Sequence, residues 1–504
     1  MQVDYIIVQA GGRGSRMEYL TKNKPKALIP IENLPMIFYL FRQFPNKKFI
    51  IIGDYKIEVL RKYLRIFSEV RYVIVDASGK KGTCAGLKDA LEVVPNDKAF
   101  MLIWSDLILP TDFKLPEKND DYIGLSKGFK CRWRYENDIF EEISSDNTGV
   151  AGLFIFKDKE KLQDVPIEGE LVKWMKNKEK KFSIIELEKT KEYGLISEYN
   201  KIDRPKCRPF NSLVVDADKI IKEGIDEQGK QLAIREKNWY HIVQKENYDK
   251  IPHIYSYDPF VMEKIDGKNI YEYNLSYQDK TKILKKIVTA LRELHAMQTD
   301  NVDYFSVDDA YFGKTLKRLD KVRNLIPFSN DKYIQVNGKK CPNVYFYYDE
   351  LEKLCSQIRP QKFCMIHGDC TFSNMMMRKN GEIVLIDPRG YFGYSSMVGD
   401  AAYDWAKLYY SLKGNYVQFN LKKFRLDIRD NEIDLTIESN KWEDTEEYFF
   451  ELINEDVDPQ TIKLIHAIIW LSLTTYAWED YDSICGAFYN GIYYLADVIG
   501  KDEM

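Results

Sequence analysis

Two groups of residues in this chain have the types and order that phosphate chemistry needs. The first stands in "VDYIIVQAGGRGSRM" (3–17), where a short apolar run leads into Gly11, Gly12 and Gly14, then Ser15 and Arg16. Glycine lets another molecule approach the main chain closely, and the bared N–H groups of such a turn can hold an anion. "NKPKALIPI" (23–31) follows, with Pro25 and Pro30 stiffening the segment and Lys24 and Lys26 returning positive charge to the loop. Arg16 with Lys26 would clamp a triphosphate. On its own the loop is equally a tight strand-to-helix turn with nothing bound. A P-loop is excluded because G-x-x-x-x-G-K-[ST] is absent. A dinucleotide fingerprint wants a small residue where Met17 stands.

The second group lies far downstream. "FCMIHGDCTFSNMMM" (363–377) sets His367, Asp369 and Asn374 in the order H-G-D-x-x-x-x-N, and "GEIVLIDPRG" (381–390) reads as a strand delivering Asp387 into a turn. That combination suits phosphoryl transfer from ATP. One carboxylate orients an attacking hydroxyl and accepts its proton, while an amide and a second carboxylate hold Mg²⁺ on the phosphates.

The elements that must position these residues can be read around them. "YIIV" (5–8) is β-branched and apolar, as a buried strand should be. "AFMLIWSDLIL" (99–109) is a strand ending in Asp106, and "KKGTCAGLKDAL" (80–91) is a glycine-containing loop leading into a helix, with Thr83 a candidate helix cap. Near residue 205, "KIDRPKCRPFNSL" reads as a linker. "SLVVDADKIIKEG" (212–224) then gives two strand-like runs around a turn. "FNLKKFRLDIRDNEIDLTIESN" (419–440) alternates as a surface hairpin inserted among helices would, and "LIHAIIWLSLTTYAW" (464–478) reads as a buried helix.

Bulk composition sets the class. The chain has 504 residues, too many for one ordinary core, with 45% hydrophobic and 30% charged residues. A net charge of −4 gives no basic field for nucleic acid. None of the eight cysteines forms a C-x-x-C pair, so neither zinc nor a disulfide framework is suggested and a reducing cytoplasm is the expected setting. No signal peptide and no membrane-spanning stretch are expected.

The N-terminal motifs, G-G-x-G-x-R-M followed by K-P-K-A-L-x-P-I, resemble those of the nucleotidyltransferases that include sugar-phosphate pyrophosphorylases and phosphocholine cytidylyltransferases. Gln9 departs from the pattern, where a small residue is commoner. The resemblance implies a three-layer α/β Rossmann-like domain with a mostly parallel sheet over 1–203. It implies nucleotide binding by Gly11, Gly12, Gly14, Ser15, Arg16, Lys26, Gly82 and Thr83, catalysis by Arg16 and Lys26, and Mg²⁺ binding by Asp106 with Glu192. "NTGVAGLFIF" (147–156) resembles the family's later strand near the acceptor.

The downstream motifs resemble the aminoglycoside phosphotransferase and choline kinase families. This implies a bilobal α+β kinase-like domain over 204–504, with an N-lobe to about 268 and a C-lobe from about 269. Asp369 is then the base, and Asn374 and Asp387 are the Mg²⁺ ligands. His367 reads as structural, His295 as a packing residue, and Asp400 and Asp404 as supports of the catalytic loop. The N-lobe must supply a phosphate-binding lysine and its helix glutamate; Lys222, with Lys219 its competitor, and Glu236 fill those roles.

A kinase makes a phosphomonoester and a nucleotidyltransferase consumes one. The expected function is therefore two steps with ATP and CTP or another NTP, small-molecule substrates and Mg²⁺ at both sites. Trp470, Trp478, Asp480 and Tyr481 lie in an aromatic-rich tail suited to a quaternary ammonium, which points to choline, phosphocholine and CDP-choline for cell-surface decoration. The same residues read equally as core helices. A sugar or polyol kinase joined to its pyrophosphorylase is the alternative, and a scaffold with decayed enzyme domains is a third reading.

Overall fold

The computed structural model describes residues 1–202, 211–216, 218–224, 227–430 and 432–499. The linker expected near 205 lies mostly outside them. The chain divides into two units, Met1–Asp203 with Glu479–Asp482, and Arg204–Trp478 with Ser483–Met504.

The first unit is built on β1 (Val3–Gln9), α1 (Met36–Gln43), β2 (Lys48–Gly53), α2 (Ile57–Phe67), β3 (Arg71–Asp76), α3 (Leu87–Val93), β4 (Ala99–Trp104), β5 (Tyr122–Ser126), β6 (Gly149–Phe156), α4 (Leu171–Asn177) and β7 (Ser183–Leu187). Its nine-stranded mixed sheet has the central order β3-β2-β1-β4-β6. The first four of these strands are parallel, and β6 runs antiparallel to β4. All eight residues of β6 are buried, so both faces of the sheet must be covered. Register shows by what. Ile7 lies opposite Ile50 and Leu102 on one face, and that face packs with Leu87 and Ala90 of α3 and Leu171 and Met175 of α4. Phe49 points the other way and meets Phe41 of α1, ring centroids 4.7 Å apart. The result is three layers.

The second unit begins with β8 (Asn211–Asp216), β9 (Lys219–Gly224), α5 (Glu227–Lys245), β10 (Ile254–Tyr257) and β11 (Phe260–Glu263). These strands form an antiparallel sheet in the order β8-β9-β11-β10, with α5 against β9. The helical part includes α6 (Tyr277–Met297), α7 (Lys314–Val322), α8 (Ala401–Leu412) and α9 (Pro459–Leu473). The antiparallel pair β12 (Met375–Arg378) and β13 (Ile383–Leu385) carries the functional loops at its ends. A sheet with one helix followed by a helical lobe is the kinase-like arrangement.

The expected hairpin is present as Phe424–Arg429 paired with Glu432–Ile437. It is not an isolated surface feature. Its second strand runs parallel to Tyr333–Val336, which pairs with Lys339–Pro342, completing a four-stranded sheet. Ile433 is accordingly buried.

Candidate active sites

In the first unit the functional groups follow the carboxyl ends of two adjacent parallel strands. Gly11 to Arg16 come after β1, and Asp106 comes two residues after β4. Such strand ends are where ligands sit in open α/β sheets. The three glycines differ in what demands them. Gly14 is left-handed at φ 64° and a Cβ there would lie 3.1 Å from Lys26 Cβ. Gly12 is exposed, has no positive φ, and a Cβ there would meet nothing within 4 Å. The fold needs glycine at 14; at 12 only an approaching molecule would.

Lys26 is buried and its ammonium pairs with Asp106 Oδ2. Glu192 is brought up by the antiparallel pairing of Lys191–Glu192 with Leu107–Ile108. Burial raises the Glu192 carboxyl, the Asp106 charge raises it further, and Lys26 and Arg16 pull it back. Arg16 itself is exposed. Arg16, Lys26, Asp106 and Glu192 therefore share one electrostatic neighbourhood. Asp106 Oδ1 is buried with no hydrogen-bond partner among the described residues. A divalent cation between Asp106 and Glu192 would satisfy that oxygen and favour the ionised glutamate, and hard carboxylate donors fit Mg²⁺. Mg²⁺ is commonly held by one or two carboxylates together with substrate phosphates and water, and two carboxylates are what this site offers.

The second loop is locked rather than capped. Helix α3 starts after Gly86, and Thr83 does not cap it. Thr83 Oγ1 instead accepts from the Leu171 N–H at 2.8 Å. At Gly82, φ is 86° and a Cβ would lie 2.3 Å from the Gly169 carbonyl oxygen. Gln9 ties the two loops together, its amide donating to the Thr83 carbonyl at 2.7 Å. Its departure from the small-residue pattern thus has a structural use.

Lys24 is turned away from this site. It is buried and bonds Asp480 at 2.8 Å and Asp482 at 2.5 Å. Burial opposes its charge, but the two carboxylates outweigh that and raise its pKa. This corrects part of the expected acceptor set. Asp480 is engaged by Lys24, Tyr481 is 2% exposed, and both group with the first unit. Trp470 is also a core residue, its indole N–H donating to His466 Nε2 at 3.0 Å and its ring packed on Tyr410 and Phe419. Trp478 is only partly buried. Trp470 is buried because α9 is apolar around most of its circumference from Leu464 onward, which suits a core helix.

In the second unit, Lys222 on β9 and Glu236 on α5 meet at 2.7 Å, both buried, and Lys222 also reaches Asp387 Oδ1 at 2.6 Å. Burial opposes the ammonium, but the charges of Asp387 and Glu236 raise its pKa and keep it protonated. Lys219 instead lies 4.8 Å from the centroid of the Tyr255 ring. Asp387 is left-handed at φ 55°, an uncommon conformation that aspartate tolerates better than most.

The loop from His367 to Asn374 is held from behind. The buried Asp404 carboxylate accepts from the N–H groups of His367 at 2.8 Å and Gly368 at 2.7 Å, and pairs with His295 at 3.1 Å. Burial disfavours its charge, but His295 and these donors outweigh that and hold it low. His295 therefore does more than pack. His367 Nδ1 accepts from the Asp369 N–H at 3.2 Å and Nε2 bonds the Ile386 carbonyl at 2.9 Å. That pattern assigns the neutral Nε2–H form, which burial favours by lowering its pKa. His367 is consumed by the loop. Asp400 caps α8 and accepts from Tyr311 at 2.8 Å. Asn374 Nδ2 donates to Asp369 Oδ2 at 3.1 Å, which leaves its carbonyl oxygen for a cation, and its backbone carbonyl accepts from Ile386 N–H at 2.9 Å. Two bonded pairs result, Asn374 with Asp369 and Lys222 with Asp387, and the Ile386 N–H, one residue before Asp387, joins them through the Asn374 backbone carbonyl.

Two residues here escaped the sequence reading. Lys407, buried on α8, pairs with Asp369 Oδ1 at 3.0 Å. Arg389 follows the Asp387 turn, its N–H donating to the His367 carbonyl at 2.8 Å. The available signal for the first was a lysine inside the otherwise buried run "AAYDWAKLYYSL", which demands a partner.

One family model matches within each unit. Residues 6–113 match the MobA-like NTP transferase domain, and residues 236–421 match the phosphotransferase enzyme family, APH. The chain thus joins an N-terminal nucleotidyltransferase domain to a C-terminal phosphotransferase-family domain. Over 97 residues it is 28% identical to D-glycero-alpha-D-manno-heptose 1-phosphate guanylyltransferase of Campylobacter jejuni, covering 18% of this chain and 43% of that protein. Over 134 residues it is 25% identical to glucose-1-phosphate cytidylyltransferase of Salmonella typhimurium, covering 21% and 52%. The chain spans about half the length of the curated relatives it matches. Among solved structures, HddC from Yersinia pseudotuberculosis superposes with a TM-score of 0.33 at 19% identity, over 39% of this chain and 97% of that one. CTP:phosphocholine cytidylyltransferase from Streptococcus pneumoniae gives 0.32 at 23%, over 40% and 97%.

Proposed function

We propose that the chain phosphorylates a hydroxyl of a sugar or polyol with ATP and then couples the resulting phosphomonoester to a nucleoside monophosphate. In the first step the hydroxyl oxygen bonds to the γ-phosphorus, the bond to the β–γ bridging oxygen breaks, ADP leaves, and Asp369 takes the proton. Asn374 and Asp387 would hold Mg²⁺, which neutralises phosphate charge, while Lys222, fixed by Glu236, steadies the phosphates. In the second step the monoester oxygen bonds to the α-phosphorus of an NTP and pyrophosphate leaves. No protein nucleophile is needed. Arg16 and Lys26 align the triphosphate, and Asp106 with Glu192 would hold the metal.

One observation carries the reading: each unit assembles its own set of carboxylates and cations, Asp106–Lys26 in one and Asp369–Asn374–Asp387–Lys222 in the other. A sugar is favoured over choline on two grounds. The curated relatives reported above are named for sugar 1-phosphates, and Trp470 and Asp480, two of the residues that would have received a quaternary ammonium, are engaged by His466 and Lys24. A cytoplasmic setting and ATP with CTP or another NTP complete the proposal. Replacing Asp369 by Asn tests it: ATP-dependent phosphorylation should fall at least 1,000-fold, on the order expected for loss of an essential base, while pyrophosphate release from a supplied sugar phosphate persists. Equal loss of both activities would show that the two sites are not separable.

A further inference from the structure

We propose that the acceptor phosphorylated by the second unit carries an oxyanion, a phosphate ester or a carboxylate, received by Lys314, Arg318 and Arg389 beside Asp369. The inference rests on the kinase reading and adds the charge class of the substrate.

The cations are delivered by separate elements. Asp309–Gly313 forms a π-helical turn just before α7, a feature found often at functional sites. Tyr311 within it is anchored to Asp400, the cap of α8. The turn leads directly into Lys314, and Arg318 follows one helical turn later, on the same face. Arg318 is oriented by Ser472, its Nη1 donating to the carbonyl at 2.7 Å and to Oγ at 2.9 Å. Arg389 comes from the loop after Asp387 and donates to the Tyr391 hydroxyl at 2.8 Å and to that of Tyr403 at 3.3 Å. Lys407 from α8 completes the group.

The charges do not balance. Asp369 is already matched by Lys407. The tyrosines on Arg389 give hydrogen bonds without a full negative charge. Lys314 has no hydrogen bond or ion pair among the described residues. Its pKa is pushed well below the ordinary lysine value by burial and by Arg389, Arg318 and Lys407, with Asp309 opposing them. Arg318 is lowered too, by burial and by Arg389. A partly buried lysine whose proton is disfavoured by neighbouring cations regains it when an anion joins the group. The ATP phosphates have their own lysine, since Lys222 is governed by Asp387 and Glu236. Two members tie the group to the base, Lys407 pairing with Asp369 at 3.0 Å and the Arg389 N–H donating to the carbonyl of His367 at 2.8 Å, and the acceptor hydroxyl must come to Asp369.

The test uses the full chain saturated with Mg·AMP-PNP, so that the γ-phosphate position is filled. Sulfate, D-glucuronate and choline are titrated separately by calorimetry. Sulfate stands for a phosphate ester and glucuronate for a carboxylate. Binding of either anion that weakens at least ten-fold in Lys314→Gln, and is restored in Lys314→Arg, supports the proposal and identifies which anion it is. Choline binding, or anion binding unchanged in Lys314→Gln, overturns it, as does no anion binding at all. Failure of Mg·AMP-PNP to bind in the first place would instead defeat the kinase reading.

Discussion

Gly12→Ala separates a glycine needed by a ligand from one needed by the fold. At position 12 a methyl group meets nothing within 4 Å and the backbone has no positive φ. Folding should therefore tolerate alanine, and the lower entropy of the unfolded chain should stabilise the protein by about 0.4–1 kcal/mol. Nucleotide binding should suffer, because the methyl stands where phosphate oxygens must reach the main-chain N–H groups. Loss of one hydrogen bond to a charged group costs about 1.5–3 kcal/mol, which is roughly a 10- to 150-fold rise in Kd. Gly14→Ala is the contrast. There φ is 64° and Lys26 Cβ is 3.1 Å away, so stability should fall by about 1–2 kcal/mol. Calorimetry of Mg·NTP binding and thermal unfolding of both variants provide the readings. A Gly12→Ala protein that unfolds earlier yet binds NTP normally would refute the reasoning.

Two further outcomes follow from buried charge in the second unit. Lys222→Met removes the ammonium paired with the buried Glu236 and should destabilise the unit by about 3–5 kcal/mol while slowing ADP release at least 100-fold, on the scale of losing one preorganised electrostatic contact. A larger loss from Lys219→Met would show that the wrong lysine has been placed on the phosphates. His466 is held neutral, its pKa lowered to about 3 by burial and then by Lys413, against an ordinary value near 6.5 in the unfolded chain. Its contribution is complete above pH 6.5 and is lost as pH falls towards 3, at about 1.4 kcal/mol per pH unit. His466→Gln should lessen the loss of unfolding temperature between pH 7 and 5; an unchanged slope would contradict the assignment.

The fold was legible where local pattern and site chemistry coincide. A strand that ends in a glycine loop, and one that ends near an aspartate, are both set by short-range rules, and the parallel sheet follows from placing their ends side by side. Lys222 and Glu236 stand out because a lysine on a strand and a glutamate on the next helix make one recognisable pair. What stayed hidden depends on distant packing. Nothing local reveals that Asp480 would meet Lys24, or that an aromatic-rich helix would spend Trp470 on His466. Composition cannot distinguish a cage for a cation from a core. The strand Tyr333–Val336 became evident only through its pairing with the hairpin a hundred residues on. Lys407 sits in a buried run that calls for a partner, but nothing local names Asp369 as that partner, and Arg389 carries no local signal at all.

The most direct measurement of the central claim follows one phosphorus atom. The full chain is incubated with Mg²⁺, γ-³³P-labelled ATP, an unlabelled second NTP and a panel of sugar and polyol acceptors, each with and without a phosphate or carboxylate, alongside choline. The account predicts that label passes first into a phosphomonoester and then into a nucleoside diphosphate conjugate, as the phosphate next to the acceptor, and that Asp369→Asn blocks its entry while Arg16→Ala stops it at the monoester. Label that reaches a monoester which the same chain never converts, or that accumulates only as inorganic phosphate, would contradict it.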